Sequence, residues 1–373
     1  MMTRGDKQPD YFLVTIVAVI VIFGLVMLSS ASSVEGFQKF GDPNYFLKNQ
    51  LIAFVIGIFA FALTSRIDYR RWKKHALLIM IITIALLVSV FIPGLGTGLL
   101  GARRWVTLGP IFFQPSEGAK ITFLIYLATW LEKRGEGIKD FSTGLFPFLV
   151  IVAVVLGLII LQPDLGTMTV MGVIAMSSYF VAGAAVKHLF WLGLASAGAF
   201  WFLIQSASYR LERMKVFFNP ASDLQGIGYH INQALLAIGS GGLLGLGLGH
   251  SRQKYNYLPQ ASSDSIFAII AEELGFIFSV MLIALFLVFM FRGLKIAKGA
   301  PDQFGKIMAA GITAWFTFQA LINIGAISGL LPLTGIPLPF ISQGGSALVV
   351  SLAAIGILVN ISRYSKQTKN FWQ

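Results

Sequence analysis

Long apolar runs separated by short charged clusters set the rhythm of this 373-residue chain. Runs near 11–30, 47–64, 76–92, 117–131, 146–161, 166–183, 188–206, 266–291, 306–328 and 340–361 each read as apolar helix. About 20 such residues cross the hydrocarbon core of a bilayer. Several runs approach that length, and the shorter ones reach it if their flanks extend them. The pattern predicts an all-α polytopic membrane protein with about ten transmembrane helices, one domain spanning 1–373. The run at 117–131 carries charge, and 146–183 can also be read as one broken pair. Between the seventh and eighth runs lies a segment, 207–265, too long for a plain connector. Its stretch 230–249, HINQALLAIGSGGLLGLGLG, is apolar and rich in glycine. That predicts a re-entrant or interfacial helix and a close-packed turn, since non-helical backbone at membrane depth must be covered by protein or water.

Composition and charge fix the setting. Hydrophobic residues are 56% of the chain and charged ones 12%, with a mean hydropathy of +0.78, whereas soluble domains carry about 25% charged residues. With an even number of spans both termini share a side. Placing them in the cytoplasm puts 18 of the 28 Lys and Arg residues inside, nine outside and Lys120 within a span. Excess positive charge inside supports that orientation and makes 207–265 an extracytoplasmic loop. The first run is longer than a signal-peptide core and many spans follow it, so an uncleaved first helix is expected. The net charge of +12 reflects loops facing anionic lipid, not a nucleic-acid partner. The absence of cysteine removes disulfides and thiolate metal sites.

Two patterns lead nowhere. Gly96 to Gly101, GTGLLG, has dinucleotide-loop spacing but lies between two membrane helices and follows no strand, so its structural condition fails. The four histidines, His75, His188, His230 and His250, are scattered without zinc-ligand spacing. No internal repeat suggests the paired halves of a transporter.

The polar residues in and beside the spans carry the candidate chemistry. Asp264 ends the polar loop just before an apolar run, with no opposite charge within a helical turn on either side. Glu272, eight residues on, would share its helical face, with Glu273 about 100° further round. Glu117 and Lys120 are three apart on one face and fit either a buried pair locking helices or a functional pair, the usual reading of ionisable groups in a membrane. Asp164 in QPDLGT suits the cap of a helix starting near Leu165 and could also line a cavity. Arg210, Arg213, Lys215, Arg252 and Lys254 gather on the outer side, against the positive-inside trend. A bound anion would account for the group, and snorkelling to headgroups for any single member.

Several segments resemble the SEDS family (shape, elongation, division and sporulation), polytopic peptidoglycan glycosyltransferases. They are GARRWVTLGPIFFQPSEGAK at 101–120, QPDLGT at 162–167, GIGYHINQALLAIGSGGLLGLGLGHSRQKYNYLPQ at 226–260, DSIFAIIAEELG at 264–275 and PLPFISQGGSALV at 337–349. They occur in the family's order across nearly the whole chain, and GLGLGHSRQKYNYLP is closer to the division branch than to the elongation branch. The resemblance implies a ten-helix enzyme of the bacterial inner membrane that polymerises lipid II on the outer face. It implies a partner, a class B penicillin-binding protein with transpeptidase activity, among divisome or elongasome membrane proteins. Asp264 matches the family's essential acid. Arg104, Trp105, Glu117, Lys120, Gln162, Asp164, Arg210, Arg213, Lys254 and Ser342 are the candidate substrate-binding residues, and a divalent cation, Mg or Mn, is a possible cofactor. The acid's motif usually reads HTDFIFA; here it is SSDSIFA, with Ser262 and Ser265 in place of His and Phe, and Gln343 stands where Tyr is common.

The chemistry fits these residues. Lipid II carries an α-linked diphosphate and the glycan product is β-linked, so the anomeric centre inverts once. One base must take the proton of the acceptor 4-hydroxyl, and cations or a divalent metal must stabilise the leaving diphosphate. Asp264 is the expected base, with Arg104, Arg210, Arg213 and Lys254 around the diphosphate. The alternatives are a lipid II flippase, with Glu117, Lys120 and Asp164 lining a path, and a scaffold that only recruits the transpeptidase. Against a flippase, the polar investment lies on one face only.

Overall fold

Asp10 shows how the apolar runs are anchored. Its side chain accepts from the Leu13 backbone N–H at 3.0 Å and so caps the first helix. It also accepts from Arg292 Nε at 2.6 Å, while its own N–H donates to Ser362 Oγ at 3.0 Å. Three distant parts of the chain are thereby pinned at one end of the bundle. This is a computed structural model that describes residues 8–99, 102–108, 111–219 and 226–365. Arg4, Lys7, Gly101, Lys366 and Lys369 lie outside the described residues.

The helices run α1 Tyr11–Ala31, α2 Ser33–Phe40, α3 Tyr45–Arg66, α4 Arg70–Lys74, α5 Ala76–Ser89, α6 Pro115–Arg134, α7 Phe146–Ile160, α8 Leu165–Val181, α9 Val186–Gln205, α10 Ser208–Phe218, α11 Ile227–Ser240, α12 Ile266–Gly299, α13 Gln303–Ile327 and α14 Gly345–Tyr364. Among the described residues seven helical segments are long and apolar enough to cross a membrane, and α5 and α8 are shorter apolar helices. The tenth expected run is α6, 20 residues long but opening with Glu117 and Lys120 and closing with Lys133 and Arg134. Large apolar side chains such as Phe59, Val55 and Phe202 point outward. In water that would be a costly surface, whereas hydrocarbon accepts it. α13 is the axis, buried nearly throughout against α12, α8 and α6. α3 and α14 approach closely at Gly356, where a Cβ would lie 2.0 Å from Thr64 Oγ1. Small residues at helix contacts of this kind are what packing in lipid requires.

One expectation stands with an addition and one needs correction. The fold is an all-α membrane bundle, but its helices are not all of it: β1 Gly96–Leu99, β2 Ala102–Leu108 and β3 Ile111–Phe113 form a small antiparallel sheet in the order β1-β2-β3, between α5 and α6. Trp105, Val106, Thr107, Phe112 and Phe113 suit a pleated surface, and Val106 pairs with Phe113. The GTGLLG segment thus enters a strand that leads into another strand, not into a helix.

The run at 266–291 is not one continuous helix either. Within α12, Gly275 has φ 79° and ψ −174°, which breaks the helix after two turns. The freed backbone groups find partners in the glycine-rich turn after α11. Leu246 N donates to Glu272 O, Gly247 N to Glu273 O and Phe276 N to Gly242 O, each at 2.9 Å. A Cβ at Gly245 would sit 2.2 Å from Glu273 O, so only glycine permits this contact. α11 and its turn therefore cover the break, satisfying groups that lipid would leave unpaired.

Candidate functional site

The turn 259–265, just before α12, carries Asp264, and three separate parts of the fold hold it. From α13, Asn323 Nδ2 donates to Asp264 O at 2.8 Å and to Ile336 O at 2.7 Å. From the segment before α14, Ser342 Oγ donates to Ser263 O at 2.6 Å, and Gln343 N donates to Ser262 O at 2.9 Å. From α11, His230 Nε2 lies 2.6 Å from Ser265 Oγ, while Ser265 Oγ donates to Pro259 O at 3.0 Å. Gly335, at φ 70°, passes so close that a Cβ there would lie 3.3 Å from Asp264 Oδ2. The backbone around the acid is tied down, yet among the described residues its carboxylate has no hydrogen bond or ion pair.

That carboxylate stands where two cavities meet. The larger, about 620 Å³, is walled by Arg104, Trp105, Glu117, Lys120, Asp164, Arg210 and Arg213, with Asp264 at its edge. The smaller, about 120 Å³, continues past Asp264 toward His230 and Asn323. The cations are oriented by backbone carbonyls. Arg104 Nε donates to Gln162 O at 3.1 Å, and its Nη2 to Pro163 O. Arg210 Nη1 donates to Leu203 O at 2.9 Å, and Arg213 Nη1 to Leu333 O at 3.1 Å. Lys120 pairs with Glu117 at 2.8 Å, both buried, with its ammonium 5.0 Å from the centre of the Trp315 ring. Asp164 accepts from Thr167 N at 3.0 Å and Thr167 Oγ1 at 2.8 Å. It therefore caps α8 and lines the cavity at once.

Asp264 lies outside the spanning helices, and its acidity is set by this geometry. Its carboxyl is raised to about 6: burial pushes it up most, Arg213 pulls against that, Asp164 adds to the rise and Arg104 opposes it. Burial, with a smaller contribution from Arg213, lowers His230 to about 4, so its imidazole is neutral at ordinary pH.

Not every expected residue reaches the cavity. Gln162 is buried behind the wall, with Nε2 donating to Leu87 O at 3.0 Å. Ser342 is buried behind the Asp264 turn. Lys254 lies elsewhere: its Nζ donates to Gly249 O at 2.7 Å and contacts Ser30 Oγ and Glu273 Oε1 at 3.1 Å. Glu273 is fully buried, and a buried carboxylate without a counter-charge is strongly destabilising. Lys254 meets that need instead of facing an anion. Glu272 likewise turns away from Asp264, accepting from Arg252 N at 3.0 Å and from Ser251 Oγ, because Asp264 precedes the helix and does not share its face.

Asn323 and Gly335 were not singled out from the sequence, and His230 stood there only as one of four scattered histidines. Gln319 and Asn323, four residues apart in an otherwise apolar run, were the available signal. Trp315 Nε1 donates to Gln319 Oε1 at 2.8 Å, and Gln319 also lines the larger cavity. Among the described residues no three His, Asp or Glu side chains gather as a metal site.

Comparison with known proteins agrees with this architecture. Residues 10–367 match the family model FTSW_RODA_SPOVE, described as cell cycle protein. Stage V sporulation protein E of Bacillus subtilis is 44% identical over 365 residues, covering 98% of this chain and 100% of that protein. The Geobacter metallireducens protein named "Probable peptidoglycan glycosyltransferase FtsW" is 40% identical, covering 97% of this chain and 96% of that protein. Among solved structures, a chain from a peptidoglycan synthase complex, described as coordinating polymerization and crosslinking, superposes with a TM-score of 0.78 at 30% identity. That match covers 96% of this chain and 99% of the other. Thermus thermophilus RodA superposes at 0.70 and 29% identity, covering 96% and 98%. This multi-pass membrane chain belongs to the FtsW, RodA and SpoVE family of cell-cycle proteins.

Proposed function

We propose that this protein is a peptidoglycan glycosyltransferase that polymerises lipid II on the outer face of the bacterial inner membrane, with Asp264 as general base. In this reading α1, α3, α5 to α9, α12 beyond Gly275, α13 and α14 make ten passes, with both termini in the cytoplasm. The observation that carries the reading is a carboxylate that, among the described residues, has no hydrogen bond or ion pair and stands at the edge of a cation-lined cavity. A base must keep a lone pair available, and a carboxylate already engaged by a cation would be a poor one.

The step runs as one inversion. The donor diphosphate lies in the larger cavity among Arg104, Arg210 and Arg213. The acceptor sugar's 4-hydroxyl sits against Asp264. Its oxygen attacks the anomeric carbon from the face opposite the diphosphate, and the carbon–oxygen bond to the diphosphate breaks with its electron pair. The hydroxyl proton passes to Asp264, and the three guanidinium groups take up the charge growing on the leaving group. Diphosphate leaves without strong acid assistance, so one carboxylate suffices. Two named relatives support the reading, since one is called a glycosyltransferase and another comes from a synthase complex. By the same likeness the partner is a class B penicillin-binding protein that crosslinks the product.

Purified wild-type protein and Asp264→Asn, each with and without a transpeptidase partner, should be given lipid II and assayed for polymer. Wild type is expected to polymerise and Asp264→Asn to fold, bind the partner and make none. Polymer from Asp264→Asn would overturn the base assignment. Scrambling of labelled lipid without polymer would favour the flippase.

A further inference from the structure

The smaller cavity is a side chamber of the larger one: Arg213, Gln260, Asp264, Leu333, Thr334, Gly335 and Ile336 border both, while His230, Pro259, Asn323, Ala326 and Ile327 line the smaller alone. At about 120 Å³ it has room for a substituent, not a sugar ring. Ala326, Ile327, Leu333 and Ile336 give it apolar walls. At those walls Asn323 Oδ1 and Thr334 Oγ1 are buried polar atoms without a hydrogen-bond partner among the described residues. Native structures seldom leave such atoms unsatisfied without a ligand or water to meet them.

His230 adds a third polar group of defined sense. The Ser265 hydroxyl has one proton, and Pro259 O can only accept it, at 3.0 Å. Ser265 Oγ must then accept from His230 Nε2–H across 2.6 Å. The other ring nitrogen, Nδ1, therefore carries the lone pair and has no partner among the described residues. Ser265 is one of the departures from the usual motif, and the hydroxyl it brings is the one that sets this tautomer.

The geometry points to a subsite for the N-acetyl group of the acceptor amino sugar. The methyl would lie on the walls formed by Ala326, Ile327, Leu333 and Ile336. The amide N–H would donate to His230 Nδ1, and the carbonyl would accept from Thr334 Oγ1. An acetamido group offers one donor, one acceptor and a methyl on a small volume, which is the complement of this chamber. It also lies on the same ring as the hydroxyl that Asp264 deprotonates, so filling the chamber orients that hydroxyl. The inference rests on the polymerase reading and extends it to one substituent of the acceptor.

The test uses full-length protein with its transpeptidase partner and lipid II whose terminal sugar carries N-acetyl, N-propionyl or a free amine. One added methylene in a filled apolar pocket changes selectivity by about tenfold or more. Wild type should therefore use the propionyl lipid at least about tenfold less well by kcat/KM, and the free amine, a cation beside Arg213, also poorly. Ile327→Ala enlarges the chamber and should bring the propionyl and acetyl lipids within about threefold of each other. His230→Ala should raise KM for the acetyl lipid with little change in kcat, a split that mere unfolding would not give. Equal use of acetyl and propionyl by wild type, an unchanged ratio in Ile327→Ala, or an unchanged KM in His230→Ala would each overturn the subsite. No polymer from the acetyl lipid in wild type would instead overturn the polymerase reading, and this one with it.

Discussion

Asp264 combines a fixed backbone with a carboxylate that has no hydrogen bond or ion pair among the described residues, and its pH behaviour follows. Its carboxyl is raised to about 6, first by burial, with Arg213 the largest opposing influence. A base works only when ionised, so polymerisation by wild type should fall about tenfold per unit as pH drops below about 6. Removing a neighbouring cation favours the protonated form. Arg213→Gln should therefore move that acid limb to higher pH as well as slow the reaction at its plateau, about 10²-fold if the guanidinium meets the leaving diphosphate. A pH–rate profile of both proteins on purified lipid II checks the direction, and an unmoved limb would count against Asp264 as the titrating group. Gly335→Ala is expected to lower activity with little loss of helix content, since the added methyl is strained at φ 70° and crowds Asp264 Oδ2 at 3.3 Å. At this scale the sequence showed that Asp264 stands alone in charge, because neighbours in sequence are countable. It did not show where Lys254 points. A lysine among polar residues looks the same whether it faces an anion or neutralises Glu273, and only the buried 3.1 Å contact distinguishes them.

The helices were legible because lipid imposes their length and composition, and no other reading accommodates so many apolar runs. Their internal breaks were not. Gly275 sits in an apolar stretch where glycine serves helix packing equally well, so nothing local signals φ 79°. The small sheet escaped for a related reason, its strands being short and lying between two spans. The buried pair near the break gives an element-scale expectation. Removing one partner of a buried ion pair costs about 3–5 kcal/mol, so Lys254→Met should lower the detergent-solubilised melting temperature markedly. Asp264→Asn should melt near wild type, since the Asp264 carboxylate has no such partner among the described residues. Equal melting of all three proteins would mean that Lys254 does not neutralise Glu273.

Over the whole molecule, polar investment is lopsided. Asp264, the mouth of the chamber and the three arginines all lie toward the loop end of the bundle. The opposite end is tied by Asp10 to Arg292 and by Asp302 to Arg70 and Tyr69. An enzyme working from one side should make polymer in sealed vesicles when lipid II is supplied only to the outer leaflet, and the yield should not depend on transfer across the bilayer. Cysteine-free as it is, the chain can be labelled at single introduced cysteines to establish which loops face outward.

The interrupted α12 also bears on how the protein is made. Residues 266–274 are too few to span, and their last carbonyls find partners only when 242–247 folds back onto them. As the nascent chain enters the bilayer, the piece beyond Gly275 can insert by itself. The short piece that follows Asp264 must wait outside until α11 and its turn are in place. Replacing Gly245 with valine should therefore leave membrane targeting intact but strand this half-helix. The signature would be full-length protein that inserts, is cut by an external protease near residue 270 and is then cleared by quality control.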